Sequence, residues 1–429
     1  MPAPSTPRAL LFADANFLAH VSRLLEVGRV LRGDHGLSVS FAGEGPYLSL
    51  VRDEGFDVHP CFTVPKEKTL NLARRGTLVD PWWWHRVVAD SIRSDIDVIE
   101  RVRPQVVLGD MHWSLRASSL SCGVPYVSLV NASWTNHFSH PIAALDGHLL
   151  TTLLGRGVAT RTFPAFKRGA LWFWALPYKL WRLGRGNRAL RAGNLLEVVE
   201  GDLTLLADVP EFCPTRGLPP TVRYVGPIVW KPRLPDPAWL GNLSPDRPVV
   251  YVSMGSTGHR GLFETAVEAF RGSDYQVLMT MGELARPSSL PPNVFATDFA
   301  AGERLLARAD VCINHGGSGT VYQALGAGVP IVGVPTHIDQ QIQLQLCERS
   351  GVGRMVPQRD LTPPRLRRAV DEVRSDPGYR RNAQRLAAVI ARYGGARDAA
   401  RAVVELLGEG GTPHPRVVPP PLEASWPSS

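Results

Sequence analysis

Short apolar runs alternate with helix-period stretches along most of the chain. "RALLFAD" (Arg8–Asp14) is a continuous apolar run, as expected of a strand covered on both faces. "VSRLLEVGRVLRG" (Val21–Gly33) sets Leu24, Leu25, Val27, Val30 and Leu31 on one broad helical face. The alternation continues with "LSVSFAG" as a strand, "PYLSLVRDEG" as a helix stopped by Gly55 and "FDVHP" as a strand. A helical stretch runs from about Trp82 to Arg103, and "PQVVLGD" (Pro104–Asp110) is a strand ending in an acid. "SLRASSLSCG" is a helix and "VPYVSLV" a strand, and "DLTLLAD" and "TVRYVG" close this half.

A second series begins after a proline-rich, aperiodic linker at 226–247. "PVVYVSMGS" (Pro248–Ser256), "YQVLMTMG", "NVFATDF", "ADVCINHGG" (Ala309–Gly317) and "VPIVGVP" are its strands. "SGTVYQALGAG" and "DQQIQLQLCERSG" are helices between and after them. "TPPRLRRAVDEVRSD" opens a helix with prolines in its first turn, where a missing N–H costs least. Two more helical stretches lie between Pro377 and Leu407, the last placed to pack back on the first half. Strands alternating with helices predict an α/β protein of two doubly wound parallel sheets. The expected organisation is 1–225, a linker at 226–247, 248–408, and a disordered proline-rich tail at 409–429.

Composition narrows the class. The 429 residues suit two domains, and 44% hydrophobic with 20% charged residues describes a folded chain with a sizeable core. The excess of basic residues is 8 and almost all arginine; the arginines read as scattered among acids, so no nucleic-acid partner is expected. Five widely spaced cysteines show no metal or redox spacing, which suits buried thiols and a cytoplasmic location. No apolar run is long enough for a transmembrane helix. The nearest, "GALWFWALPYKLWRLG" (Gly169–Gly184), reads as a core or pocket-lining segment, with peripheral contact to a membrane or greasy substrate as the second reading.

The richest chemistry lies in "INHGGSGTVYQALGAGVPIVGVPTHIDQQ" (Ile313–Gln341). Glycines after a strand let the backbone approach an anion, and the helix starting near Ser318 offers unpaired N–H groups and its positive dipole end. Ser318 and Thr320 can cap that helix or donate to phosphate, and His315 can add a hydrogen bond and positive potential. A diphosphate suits such a site without a metal ion. Neither a P-loop nor a GxGxxG after the first strand is present. "SDID" (Ser94–Asp97) imitates a metal motif but reads as a solvated helix face, since positions two apart do not share a face.

This stretch resembles the donor-binding signature of the nucleotide-sugar-dependent glycosyltransferases of the GT-B fold, nearest to the UDP/dTDP-sugar natural-product group. "YVSMGS", "RPQVVLGD" and "CGVPYVSLV" are similar to other strands of that family. The resemblance implies two Rossmann-like domains facing across a cleft, the first binding the acceptor and the second the donor. It implies that His315, Gly317, Ser318, Gly319 and Thr320 hold the diphosphate, with Ser256 opposite. Phe299 would flank the base, and Asp339 and Gln340 would bind sugar hydroxyls. Gln323 stands eight residues after His315, where relatives carry a ribose-binding Glu, so UDP, dTDP and GDP all stay open.

The family motif Gly-His-x-x-Pro after the first strand here reads Ala19-His20-x-x-Arg23. His20 is expected to be the general base with Asp110 as its partner, both at the carboxyl ends of neighbouring strands. Solvent-facing His20 and a helix-capping Asp110 are the plainer readings. Trp82, Trp83, Trp84, Trp172, Trp174 and Trp181 suggest an aromatic acceptor cleft or ordinary core packing. The expected activity is inverting, metal-independent hexosyl transfer from a UDP- or dTDP-sugar to a small hydrophobic natural-product acceptor, with no cofactor beyond the sugar donor. A lipid or sterol acceptor, a sugar-nucleotide epimerase, and a non-catalytic nucleotide-sugar-binding partner are the alternatives.

Overall fold

In a computed structural model, residues 6–69, 80–142, 149–185, 189–255, 260–282 and 290–408 are described. The 409–429 tail lies outside them. The first half supplies strands β1 (Arg8–Phe12), β2 (Ser38–Ala42), β3 (Asp57–His59), β4 (Val106–Asp110), β5 (Tyr126–Val130), β6 (Leu203–Leu206) and β7 (Val222–Tyr224). They form one parallel sheet in the order β3-β2-β1-β4-β5-β6-β7. The second half supplies β8 (Val249–Ser253), β9 (Gln276–Thr280), β10 (Val294–Thr297), β11 (Val311–Asn314), β12 (Ile331–Gly333) and β13 (Gly353–Met355). Their order is β10-β9-β8-β11-β12-β13, again all parallel.

Every residue of β4, β5, β8 and β11 is buried, which is why these strands read as unbroken apolar runs. In each sheet the strand order reverses beside its first strand, between β1 and β4 and between β8 and β11. Such a reversal opens a crevice at the carboxyl ends of the strands. His20 and Asp110 belong to the first crevice, and His315 to the second.

The short strand Gly353–Met355 and the helix Leu195–Val199 had no period to announce them. The aromatic segment is part of two helices, Leu149–Trp174 and Leu176–Arg185. Pro164 sits inside the first, which is kinked at Gly155, and Pro177 falls in the first turn of the second. Stretch 226–247 contains one short 3-10 turn, Ala238–Asn242.

The last helix, Ala396–Gly408, returns to the first sheet. Its Ala399, Ala400, Ala402, Val403 and Leu406 are buried in the same apolar cluster as Leu24, Leu31 and Phe41. The chain therefore crosses between the halves twice, and the crossings touch. The Gly395 N–H donates to the Val225 carbonyl at 2.9 Å. Gly226 and Gly395 both have positive φ, and a Cβ on Gly226 would lie 2.3 Å from that of Tyr393.

Candidate active site

His20 is the third residue of the helix Leu18–Gly33, which follows the loop after β1. Asp110 ends β4, the parallel neighbour of β1, so both side chains meet on one rim of the sheet. His20 Nδ1 lies 2.9 Å from Asp110 Oδ1, and Asp110 is fully buried. The helix Leu115–Cys122 starts from Ser114, so Asp110 caps nothing. Burial lowers the His20 pKa, but the charge and hydrogen bond of Asp110 outweigh it and hold the imidazole above its usual value. The next residue, Met111, has φ 52, a left-handed conformation uncommon for a side chain of this size and found at functional sites.

Arg23 stands one helical turn beyond His20 and grips the same carboxylate. Its Nε and one terminal nitrogen each donate to Asp110 at 2.7 Å. The other terminal nitrogen donates to Asn131 Oδ1 at 3.0 Å, and Asn131 Nδ2 donates to Asp208 at 3.0 Å and to Ser318 Oγ at 2.9 Å. A polar chain thus runs from the His20–Asp110 pair to the start of the helix Ser318–Gly326. Asp208 also accepts from Tyr322 at 2.8 Å.

In the second crevice, β11 delivers His315 into a glycine cradle. Gly316 has φ +86, and a Cβ there would lie 2.6 Å from the Gln340 carbonyl oxygen. Gly317 is the N-cap of the helix, and its Cβ would fall 2.6 Å from His315 Nε2. On the other side, a Cβ on Gly255 would approach the ring to 3.0 Å. Burial, helped by His337, pushes the His315 pKa down to about 3, so the ring is neutral. It can give a hydrogen bond but not the positive potential expected of it. That potential comes from the helix, whose leading N–H groups at Ser318, Gly319 and Thr320 lack intrahelical acceptors. Neither Ser318 nor Thr320 caps the helix; Ser318 Oγ accepts from Asn131, which leaves its O–H to donate.

The remaining expected donor residues divide. Asp339, Gln323 and Phe299 line the same cavity as His315. The Asp339 side chain keeps 38% of its accessibility, yet surrounding protein pushes its carboxyl up to about 6 against the opposing charges of Lys167 and His20. Gln340 also borders the cavity, but its side-chain Oε1 accepts from the Thr336 N–H and hydroxyl at 2.8 and 2.9 Å. That side chain holds the turn before the helix Ile338–Arg349. Ser256 lies outside the described residues.

A single cavity of about 820 Å³ joins the two crevices, from His20 to Asp339 and the His315 turn. Its acceptor side is aromatic, but only partly through the expected tryptophans. Trp84 and Trp174 line it, as do Trp113, Trp134 and Trp230, which no period had singled out. Trp82 and Trp172 point to solvent, at 77% and 53% exposure. Sequence reasoning also missed Lys167, brought to Asp339 by the helix Leu149–Trp174.

The "SDID" reading is corrected by Asp95, which is fully buried and accepts from Ser114 at 2.6 Å and Ser118 at 2.9 Å, with His112 Nδ1 3.9 Å away. Only Asp97 of the pair is exposed. Ala-Ser-rich "SLRASSLSC" was the available signal: two of its serines, Ser114 and Ser118, face the helix Pro81–Val102, and a buried acid answers them.

Two doubly wound parallel sheets, with a cavity between their switch points, define the GT-B architecture. Solved structures agree: the calicheamicin glycosyltransferase CalG4 matches with a TM-score of 0.69 at 22% identity, over 94% of this chain and 99% of that one. The glycosyltransferase VinC in complex with dTDP matches with 0.66 at 20% identity, over 94% and 100%. Residues 265–406 match the family described as erythromycin biosynthesis protein CIII-like, C-terminal domain. In sequence, the chain is 31% identical to a PGL/p-HBAD biosynthesis glycosyltransferase of Mycobacterium tuberculosis over 90% of its own length and 89% of the relative's. It is also 31% identical to a PGL/p-HBAD biosynthesis rhamnosyltransferase of Mycobacterium bovis, over 89% and 83%. The chain belongs to this family of GT-B glycosyltransferases.

Proposed function

We propose that the protein transfers a hexose from a UDP- or dTDP-sugar to a small hydrophobic acceptor, with inversion and without a metal ion. The observation that carries this reading is the joint cavity, which puts a carboxylate-backed histidine and a diphosphate-type helix N-terminus in one space. His20 takes the proton of the acceptor hydroxyl as the new bond to the anomeric carbon forms. Asp110 fixes the tautomer and stabilises the imidazolium. The diphosphate leaves toward His315 and the amides of Ser318, Gly319 and Thr320, which are preorganised to receive its growing charge. Attack on the side opposite the leaving group inverts the centre. Asp339 faces the sugar, and Gln323 and Phe299 face the nucleoside.

Two similar proteins bear on the donor. One relative is a rhamnosyltransferase, and the VinC structure holds dTDP. An uncharged Gln323 at the ribose position suits ribose and deoxyribose alike, so the preference for dTDP over UDP rests on those two proteins alone. The test is release of free nucleoside diphosphate from dTDP- and UDP-hexoses. Release only on addition of an apolar hydroxylated acceptor, undiminished by EDTA, is expected. Acceptor-independent conversion of the donor would instead indicate an epimerase.

A non-catalytic role is the second reading, because one relative 30% identical over 62% of this chain is named inactive. The intact His20–Asp110 pair argues against it.

A further inference from the structure

The helices Leu149–Trp174 and Leu176–Arg185 serve the cavity on one side only. Phe163, Lys167, Leu171, Trp174 and Tyr178 line it. The opposite side is open to solvent and carries apolar side chains interleaved with basic ones. Leu153, Leu154, Val158, Trp172, Leu180 and Leu183 make six of the eleven large hydrophobic side chains exposed among the described residues. Val158 and Trp172 are about four turns apart, so they fall on one stripe, and Leu180 and Leu183 share a face of the second helix. Trp82, at the start of Pro81–Val102, is a further exposed indole.

Basic charge is concentrated in the same stretch of the sequence. Residues 147–196 contain nine Lys and Arg and no Asp or Glu, so the rest of the chain holds 38 basic against 39 acidic residues. The basic excess is therefore not scattered, contrary to the reading from composition: it belongs to this segment. Arg161 and Arg168 are exposed on the first helix, and Lys179 Nζ sits 4.4 Å above the Trp172 ring.

We propose that this outer face docks on an anionic lipid bilayer and that the acceptor reaches the cavity from that bilayer. Aliphatic and indole side chains enter the boundary between headgroups and acyl chains, while the flanking cations meet the anionic headgroups. A nucleic acid would use stacked rings, but aliphatic side chains dominate this face. Among the described residues no helix is long and apolar enough to cross a membrane, so the contact is interfacial. The acceptor route rests on the transferase reading; docking itself does not.

The test is co-sedimentation of the full chain with phosphatidylcholine vesicles, with and without phosphatidylglycerol. Binding to the anionic vesicles is expected to be at least about tenfold tighter and to weaken with salt. Leu180→Asp/Leu183→Asp and Arg161→Glu/Arg168→Glu should each lose at least about tenfold. Both should keep the rise in melting temperature given by dTDP or UDP, which shows that they are folded. His20→Ala should bind vesicles like the parent, so a failed transferase reading leaves docking intact. Binding to neither vesicle, equal binding to both, or binding unaffected by these variants overturns the proposal. Self-association abolished by Leu180→Asp/Leu183→Asp, without vesicle binding, assigns the face to a second copy and also overturns it.

Discussion

Arg23 stands where the family motif has proline, and it changes what Asp110 does. The carboxylate holds both His20 and a buried guanidinium fork. His20→Ala removes only the base. Its kcat should fall at least about a hundredfold with nucleoside diphosphate affinity intact, as steady-state kinetics and thermal shift can show. Asp110→Asn strands Arg23 as well, so it should also cost on the order of 3–5 kcal/mol in denaturant unfolding.

The two perturbed acids at the reacting centre give signs in pH. His20 is raised, so its stabilising pair with Asp110 is complete below the ordinary pKa of about 6.5 and is lost as pH rises through the folded value. Catalysis needs the neutral ring, so kcat should rise along that same limb. Asp339 is also raised, to about 6, because burial disfavours its charge. The native state therefore holds its proton more tightly than the unfolded chain, and stability falls as pH climbs from the ordinary carboxyl value to about 6. Asp339→Asn should raise the melting temperature of the unliganded protein at pH 7, and the gain should vanish near pH 4. Transfer should be impaired in the same variant; a melting temperature unchanged at pH 7 would mean that the carboxylate is well solvated.

At the scale of elements, the turn between β11 and the helix Ser318–Gly326 is specified twice over. Gly316 is needed for both its φ and the nearness of the Gln340 carbonyl, whereas Gly317 is needed for the His315 ring. Gly316→Ala should therefore destabilise the fold and abolish donor binding. Gly317→Ala has an ordinary backbone conformation, so it should stay folded and lose the thermal shift given by dTDP, because the added methyl displaces the imidazole.

The strands around this turn were legible in the sequence because burial on both faces leaves an unbroken apolar run. The His20–Asp110 pairing was legible because adjacent parallel strands end on one rim. Arg23 was legible only as a departure from a motif. Its fork depends on Asp110 and Asn131, 87 and 108 residues away, and no local period records such contacts. Asp95 was misread for the same reason: its serine partners lie on another helix. Gln340 is a motif residue that also has a local task, its side-chain Oε1 accepting from Thr336.

At the scale of the whole molecule, the halves are tied by two chain passages, by hydrogen bonds that include Asn131–Ser318 and Tyr322–Asp208, and by an apolar cluster that holds Phe212 and Tyr322. Gly226 and Gly395 let the passages lie in contact. Because the helix Ala396–Gly408 completes the core of the first half, ending the chain at Gly395 should expose the apolar cluster around Leu24 and Phe41. Such a chain should aggregate or melt well below the parent in a thermal scan.

The returning helix also decides how this protein can be recombined with a cousin. A hybrid joined once, within 226–247, would inherit its final helix from the wrong parent and press it against a foreign surface. Exchange of specificity by splicing therefore needs two joints: one before β8, and one near Gly395 that restores the native final helix to its own first half.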